Sequence, residues 1–354
     1  ANLSFQIVRV WGDLATTSPS DKNGVALFES WISYDFNTNW TAKFGRQVLS
    51  YDNQRIMGGI DWLQQGQSHD AVLVTNKKNN YQMDFGAALN NNNEALYESA
   101  YVTNYKNMQF IWFYQKFSKL SLSFLALNNG YQYENLVENK FQVAYLQTLG
   151  TYGKWDTSKF YGDFGLYAQT GEAAVTNDKV YVDAYYARFN LGYKFTNSFK
   201  AELGFEYLSG KDQNDTDTKV KSFTPLFGTN HGFNGVMDYF YVGNHKNSVG
   251  LQDVYTKFIY DKNKWQVTLS PHLFYSSASV YNMTTLEEQD NYLGTEIDIA
   301  GTYKLDKNFI ISGGVSKMFG SNTMEILKGG NNNNCNNWAW VMVSFNPQLF
   351  TYKK

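Results

Sequence analysis

One pattern runs through this chain from end to end: apolar and polar residues alternate with a period of two. It is cleanest in "YQMDFGAAL" (81–89), "KFYGDFGLYAQ" (159–169), "FKAELGFEY" (199–207), "WQVTLSPHLFY" (265–275) and "LGTEIDIAGTYKL" (293–305). In an extended chain the two parities point to opposite faces, so each segment builds a strand with one apolar and one polar side. Sixteen such strands are predicted, starting near residues 2, 24, 39, 69, 80, 107, 119, 139, 158, 179, 198, 250, 264, 293, 308 and 336. Their connections alternate in length. Tight polar turns fall at 36–39, 77–80, 117–119, 195–198, 260–264 and 305–308, and long loops at 49–68, 90–106, 128–138, 209–249, 276–292 and 320–335. Short turns at one rim and long loops at the other are the arrangement of an outer-membrane barrel whose long loops are extracellular.

Composition agrees with that reading. Aromatic residues make up 18% of the 354 residues, yet the mean hydropathy is −0.46. A barrel reconciles the two values, because each strand shows one face to lipid and the other to water. The longest apolar run, "WAWVMV" (338–343), is far short of the ~20 residues a spanning helix needs. A soluble propeller or sandwich would show turn signals at regular spacing and more than the 4 Pro present here. Residues 1–354 therefore read as a single all-β domain, an antiparallel transmembrane β-barrel in a bacterial outer membrane. The first residues already form a strand-like run, "NLSFQIVRVW", as expected of a processed or N-terminally incomplete chain.

A net charge of −2 gives no reason to expect a nucleic-acid partner, and the single Cys335 excludes an intramolecular disulfide and a Cys-based zinc site. Turning the polar parity inward yields the expected lumen. Its acids are Glu29, Asp35, Asp84, Asp163, Glu202, Glu206, Asp253, Glu296 and Asp298; its bases are Lys43, Arg188, Lys194, Lys200, Lys257 and Lys304. Ser121, Ser123, Gln266, Thr268, Ser270, Ser312 and His272 share the same face. A barrel of this size leaves an aqueous channel unless something plugs it. Mixed signs with a slight acidic excess imply weak selectivity with a mild cation preference. Some of these charges could instead bridge neighbouring strands. Trp31, Tyr161 and Tyr185 offer stacking surfaces in the lumen or mouth, or constriction packing.

The first long connection departs from the alternation. "SYDNQRIMGGIDWLQQGQSHD" (50–70) carries a Gly58-Gly59 pair suited to a sharp positive-φ turn, and Arg55 between Asp52 and Asp61, an arrangement suited to pairing within the loop. "IDWLQQ" (60–65) could form one helical turn with Trp62 packed inward. The segment "GRQVLSYDNQRIMGGIDWLQQGQSHDA" (45–71) strongly resembles the hallmark segment of the alginate-export family of outer-membrane barrels, and "FTPLFGTNHGFNGVMDYF" (223–240) is similar to a second family loop. The resemblance implies an 18-stranded barrel, in which a hairpin would precede the first strand of this chain. It also implies that both loops fold inward and constrict the pore. The matching positions are Arg46, Gln47, Tyr51, Asp52, Arg55, Gly58, Gly59, Trp62, Gly66, His69 and Asp70, then His231, Gly235, Met237 and Asp238. A polyuronate exporter would be expected to line its path with arginine. This chain has only Arg9, Arg46, Arg55 and Arg188, so the fold carries over better than the alginate cargo.

An enzyme would need a nucleophile, a base and an orienting group. The four His, at 69, 231, 245 and 272, form no G-x-S-x-G or H-E-x-x-H motif, and no catalytic residue is assigned. "DQNDTD" (212–217) offers oxygen ligands for a casual Ca²⁺ but lacks the spacing of a calcium loop, so no cofactor is expected. The expected function is a passive porin for small polar solutes or oligosaccharides, with outer-membrane lipid and lipopolysaccharide around it. The alternatives are a dedicated exporter of an alginate-like polysaccharide, or a plugged barrel that serves a membrane-protein partner on its wall.

Overall fold

A computed structural model describes residues 1–9, 24–60, 65–92, 94, 96, 100–229 and 232–350. It contains sixteen strands: β1 (Asn2–Gln6), β2 (Ala26–Asp35), β3 (Trp40–Gln47), β4 (His69–Lys78), β5 (Tyr81–Leu89), β6 (Asn107–Phe117), β7 (Leu120–Asn135), β8 (Lys140–Asp156), β9 (Phe160–Ala174), β10 (Lys179–Lys194), β11 (Phe199–Leu208), β12 (Leu251–Lys262), β13 (Trp265–Tyr275), β14 (Tyr292–Lys304), β15 (Phe309–Gly320) and β16 (Asn336–Phe345). Each starts within two residues of its predicted position. They form one antiparallel sheet in sequence order, β1 to β16, the meander of an outer-membrane barrel. A short helix, α1 (Asn322–Lys328), lies in the last long loop, where Ser321 caps it by accepting from Met324 N.

The alternation divides the wall as expected. Phe44, Phe124, Leu166, Phe189, Leu203 and Val315 project outward and exposed, while Asp84, Tyr167, Tyr186, Glu206, Asp253 and Glu296 project inward and are buried. Tyr185, named above for stacking, is on the outward parity of β10, exposed and hydrogen-bonded to Asp183.

One predicted connection is corrected. Residues 128–138 are not a long loop: β7 runs on to Asn135, and a four-residue turn, 136–139, leads into β8. A similar turn, 175–178, joins β9 to β10. These four strands are 15–17 residues long, well beyond the ~9–11 that cross a bilayer, so their upper ends form an extracellular wall.

Candidate functional site

Two of the long loops fold back against the inner wall, as both family-like segments predicted, and join each other there. The β3–β4 loop carries Leu49, Ile56 and Met57, and the β11–β12 loop carries Phe223, Phe227 and Phe240, all buried in one cluster with inward residues of the wall such as Phe110, Trp112, Leu127, Tyr186 and Phe274. Each such side chain contributes roughly 1.5–3 kcal/mol by leaving water, an upper bound because unfolded chains are already partly collapsed.

The loops also join each other through their backbones. Gly58 N donates to Phe227 O (2.9 Å) and Phe227 N to Ile56 O (3.0 Å), a single parallel bridge between Met57 and Phe227, and Thr229 N donates to Gln54 O (2.9 Å) beside it. Gln67 Nε2 adds bonds to Gly58 O and Phe227 O. The expected positive-φ turn at Gly58-Gly59 is not what shapes this loop. Among the described residues of the loop the left-handed ones are Asp52 (φ 55°), Gln54 (φ 65°) and Ile60 (φ 56°). Gly58 instead keeps the approach uncrowded: a Cβ there would lie 3.0 Å from Gln54 Cβ and 3.1 Å from Thr229 N, so these neighbours would have to give by a few tenths of an ångström.

Arg55 anchors this assembly, although not to the partners expected. Its guanidinium is 2% exposed and reaches the wall, with Nε 3.1 Å from Glu206 Oε1 and Nη2 3.2 Å from Glu206 Oε2. Nη2 also donates to Asn234 Oδ1 of the second loop (2.7 Å), and the ring of Phe233 lies 4.7 Å from the guanidinium carbon. Glu206 further accepts from Tyr186 and Asn234, so one buried carboxylate ties β10, β11 and both loops together. Asp52 pairs with no arginine. It accepts from Trp112 Nε1 (3.1 Å) and Ser123 Oγ (2.6 Å) on the wall. Burial raises its pKa and these hydrogen bonds partly offset that. Tyr51 donates to Asp84 (2.9 Å); burial and that carboxylate push its hydroxyl well above the ordinary range.

The tip of the second loop lies on two further wall carboxylates. Glu296 Oε1 accepts from Val236 N (2.8 Å) and Met237 N (2.9 Å). Asp253 Oδ2 accepts from Asn234 Nδ2 (3.3 Å) and Asp253 from His272 Nδ1 (2.9 Å), with Asp298 3.9 Å beyond the other ring nitrogen. Asn234, Gly235 and Asp238 have φ values of 58°, 77° and 57°, which bend the tip onto β14.

The remaining predicted positions separate by place. Gln47 and His69 belong to β3 and β4 and face inward, Gln47 bonded to Ala71 O (3.0 Å) and His69 to the Tyr105 hydroxyl (2.8 Å) with Phe227 against its ring. Gly59 is buried within the first loop, and Gly66 N donates to Gln6 (3.1 Å). Arg46 and Asp70 do not constrict the pore. They occupy the opposite parity of the same strands and form a 3.0 Å ion pair on the outer face, which a period of two places there. Trp62, His231, Asp61 and the helical turn predicted around Trp62 lie outside the described residues.

On the lumen list, Arg188 pairs with Asp163 (3.0 Å), Tyr161 donates to Glu202 (2.9 Å), Lys194 pairs with Asp156, and Lys43 lies 4.0 Å from the Trp31 ring beside Glu29. Asp35 is exposed near the short-turn rim, bonded to Thr41; Lys200 lies 5.5 Å from the Tyr161 ring, and Lys257 stands opposite Glu202 in the ladder. Asp212 accepts from Ser279 N, while Asp215 and Asp217 are both engaged by Lys221. Burial forces the pKa of His245, inside the β11–β12 loop, down to about 3; one of its ring nitrogens is bonded to Phe240 O (3.0 Å).

The sequence alone did not point to Asn234, Tyr186, Trp112 or Phe233 as partners of these loops. Two of them, Phe233 and Asn234, stand beside Gly235 in the quoted loop motif, which was their one local signal.

Solved outer-membrane proteins share this architecture at low sequence identity. OccK10 (OpdN) of Pseudomonas aeruginosa superposes with a TM-score of 0.59 at 11% identity, covering 92% of this chain and 87% of that one. OprD of the same organism gives 0.58 at 9% identity, with 91% and 79% covered, and OccAB1 of Acinetobacter baumannii gives 0.55 at 12% identity, with 88% and 75% covered. Among curated proteins no relative matches the sequence. The sequence matches the Alginate export family over residues 4–334, and with its two inward loops seated in an outer-membrane barrel the chain belongs to that family of channels.

Proposed function

We propose that this channel is a passive porin for small polar solutes, with permeation controlled by the two joined loops. The observation that supports this reading is the seating of the two loops on the inner wall, Arg55 on Glu206, Asn234 on Asp253, and Val236 and Met237 on Glu296. Nothing in the sequence reads as an energy-coupling motif, so transport is downhill.

The selectivity is weak. Of the nine predicted lumen acids, five (Asp84, Glu206, Asp253, Glu296, Asp298) are buried, chiefly at the seats of the loops. Water in the lumen therefore meets chiefly Glu29, Asp35, Asp163 and Glu202 against six bases. A mild cation preference would have to come from the buried carboxylates through their field rather than by contact. The scarcity of arginine also argues against a path built for a polyuronate. Planar-bilayer conductance of the purified protein in a KCl gradient tests both points. We expect steady current with a reversal potential close to zero, slightly on the cation side, and no block by oligoalginate. Block by the polyanion would support a dedicated exporter, and silence would support a plugged barrel serving a partner.

A further inference from the structure

Two of the four arginines in the chain converge on one ring of the second loop. The guanidinium carbon of Arg55 lies 4.7 Å from the centre of Phe233, and that of Arg188 lies 5.1 Å from it. The two cations come from different elements, Arg55 from the β3–β4 loop and Arg188 from β10, where it stands opposite Glu206 in the ladder. An aromatic ring attracts a cation through its quadrupole, and more strongly where water is excluded. The next residue fixes the backbone as well: Asn234, at φ 58°, is bonded to Arg55, Glu206 and Asp253. Phe233 is therefore held from the loop side and from the wall side.

The same guanidinium groups also contact rings of the wall, Arg55 that of Tyr186 (5.8 Å) and Arg188 that of Tyr255 (5.5 Å). Both tyrosines are buried. Of the three rings, Phe233 alone keeps a partly exposed surface. Arg188, Tyr186 and Tyr255 belong to the inward parity of β10 and β12, so that surface faces the interior of the barrel and not lipid. Neither cation is left as a free charge behind the ring, because Arg55 is paired with Glu206 and Arg188 with Asp163.

We propose that Phe233 is a specificity-determining residue of the channel, a fixed apolar ring beside the solute path that limits passage by size and not by charge. The inference deepens the porin reading and rests on it. A solute passing the joined loops meets a ring that does not swing aside, since moving it would separate it from both guanidinium groups. Charge has little part at this point, because each cation behind the ring keeps its carboxylate.

Single-channel recording and liposome swelling in glucose, sucrose and raffinose, on the intact purified protein, test the inference. Phe233→Ala should raise conductance and shift the size limit upward, so that raffinose enters faster relative to glucose than in the wild type. Phe233→Trp should lower both. The reversal potential in a KCl gradient should stay at the wild-type value in both variants. Residues 223–240 should stay as resistant to protease as in the wild type, because Asn234, Val236 and Met237 keep their seats on the wall. Raised conductance with cleavage of that segment would make Phe233 a loop seat and not a filter. Unchanged conductance and size limit in both variants would take the ring out of the solute path. A reversal potential shifted toward anions would show that the ring screens the arginines instead. Any of these three results overturns the inference. Silence of the wild type and of both variants would overturn the porin reading with it. A silent wild type opened by Phe233→Ala would sustain the ring's place on the path and sink the porin reading alone.

Discussion

Gly235 sits at φ 77°, so close to the wall that a methyl group there would lie 2.5 Å from Glu296 Oε1. Two separate costs fall on any substitution: the left-handed backbone, which disfavours a side chain, and the collision with the carboxylate that binds Val236 and Met237. Gly235→Ala should therefore lift the loop tip off β14, seen as raised single-channel conductance and protease cleavage within 232–240. Unchanged current would show that this tip does not limit the pore. His245 supports a pH prediction. Its pKa is depressed to about 3 by burial, so between the ordinary histidine value and that level the opened loop holds a proton that the seated loop does not. The seated form is thus most stable above pH ~6.5 and loses stability as the pH falls through that window. Hydrogen exchange of residues 241–250, corrected for intrinsic rates, should accelerate between pH 7 and about pH 4.5. His245→Gln should remove this extra acceleration; an equal acid response in both proteins would assign it to another group.

Among the elements, the two inward loops act together because their backbones are joined at Met57 and Phe227 and both bind Glu206, Arg55 directly and the second loop through Asn234. Removing one partner of a buried, hydrogen-bonded ion pair costs about 3–5 kcal/mol, because the other charge is left without compensation. Arg55→Ala should expose both loops to protease, residues 223–240 as well as 50–60, and raise conductance. Cleavage confined to the first loop would show that the bridge between them is weak. The strands of the wall could be read from the sequence because lipid on one side and the interior on the other impose a period of two along each of them. The exception, "LNNGYQY" (127–133), has a physical reason. Once β7 rises above the hydrocarbon its outward residues need no longer be apolar. There Asn128 joins Gln109 (2.8 Å) and Gln147 (2.7 Å) in a polar ladder across β6–β8, so residues that read as a turn belong to a strand. The inward direction of Glu206 was equally legible by parity. Its partner was not, since Arg55 is 151 residues away and no local pattern links them.

On the scale of the whole channel, the inward carboxylates act as loop seats or as charges met by ions, and the two roles predict different electrical signatures. Reversing Glu296 and Asp298 to Lys would by parity alone shift selectivity toward anions. Glu296, however, holds two backbone N–H groups of the second loop, and Lys can accept neither. The expected result is a large rise in conductance together with the anion shift, because the loop leaves its seat. Lys257→Glu is the counterpart. Lys257 faces the lumen on β12, opposite Glu202 and below the loop seats, so its reversal should shift the reversal potential toward cations at nearly constant conductance. Paired recordings of the two variants in one KCl gradient decide between the roles. If the double reversal changes selectivity alone, Glu296 is a charge of the permeation path and the loop is held by Arg55 and Asn234 without it. If Lys257→Glu raises conductance as well, the wall below the constriction is itself part of what narrows the pore.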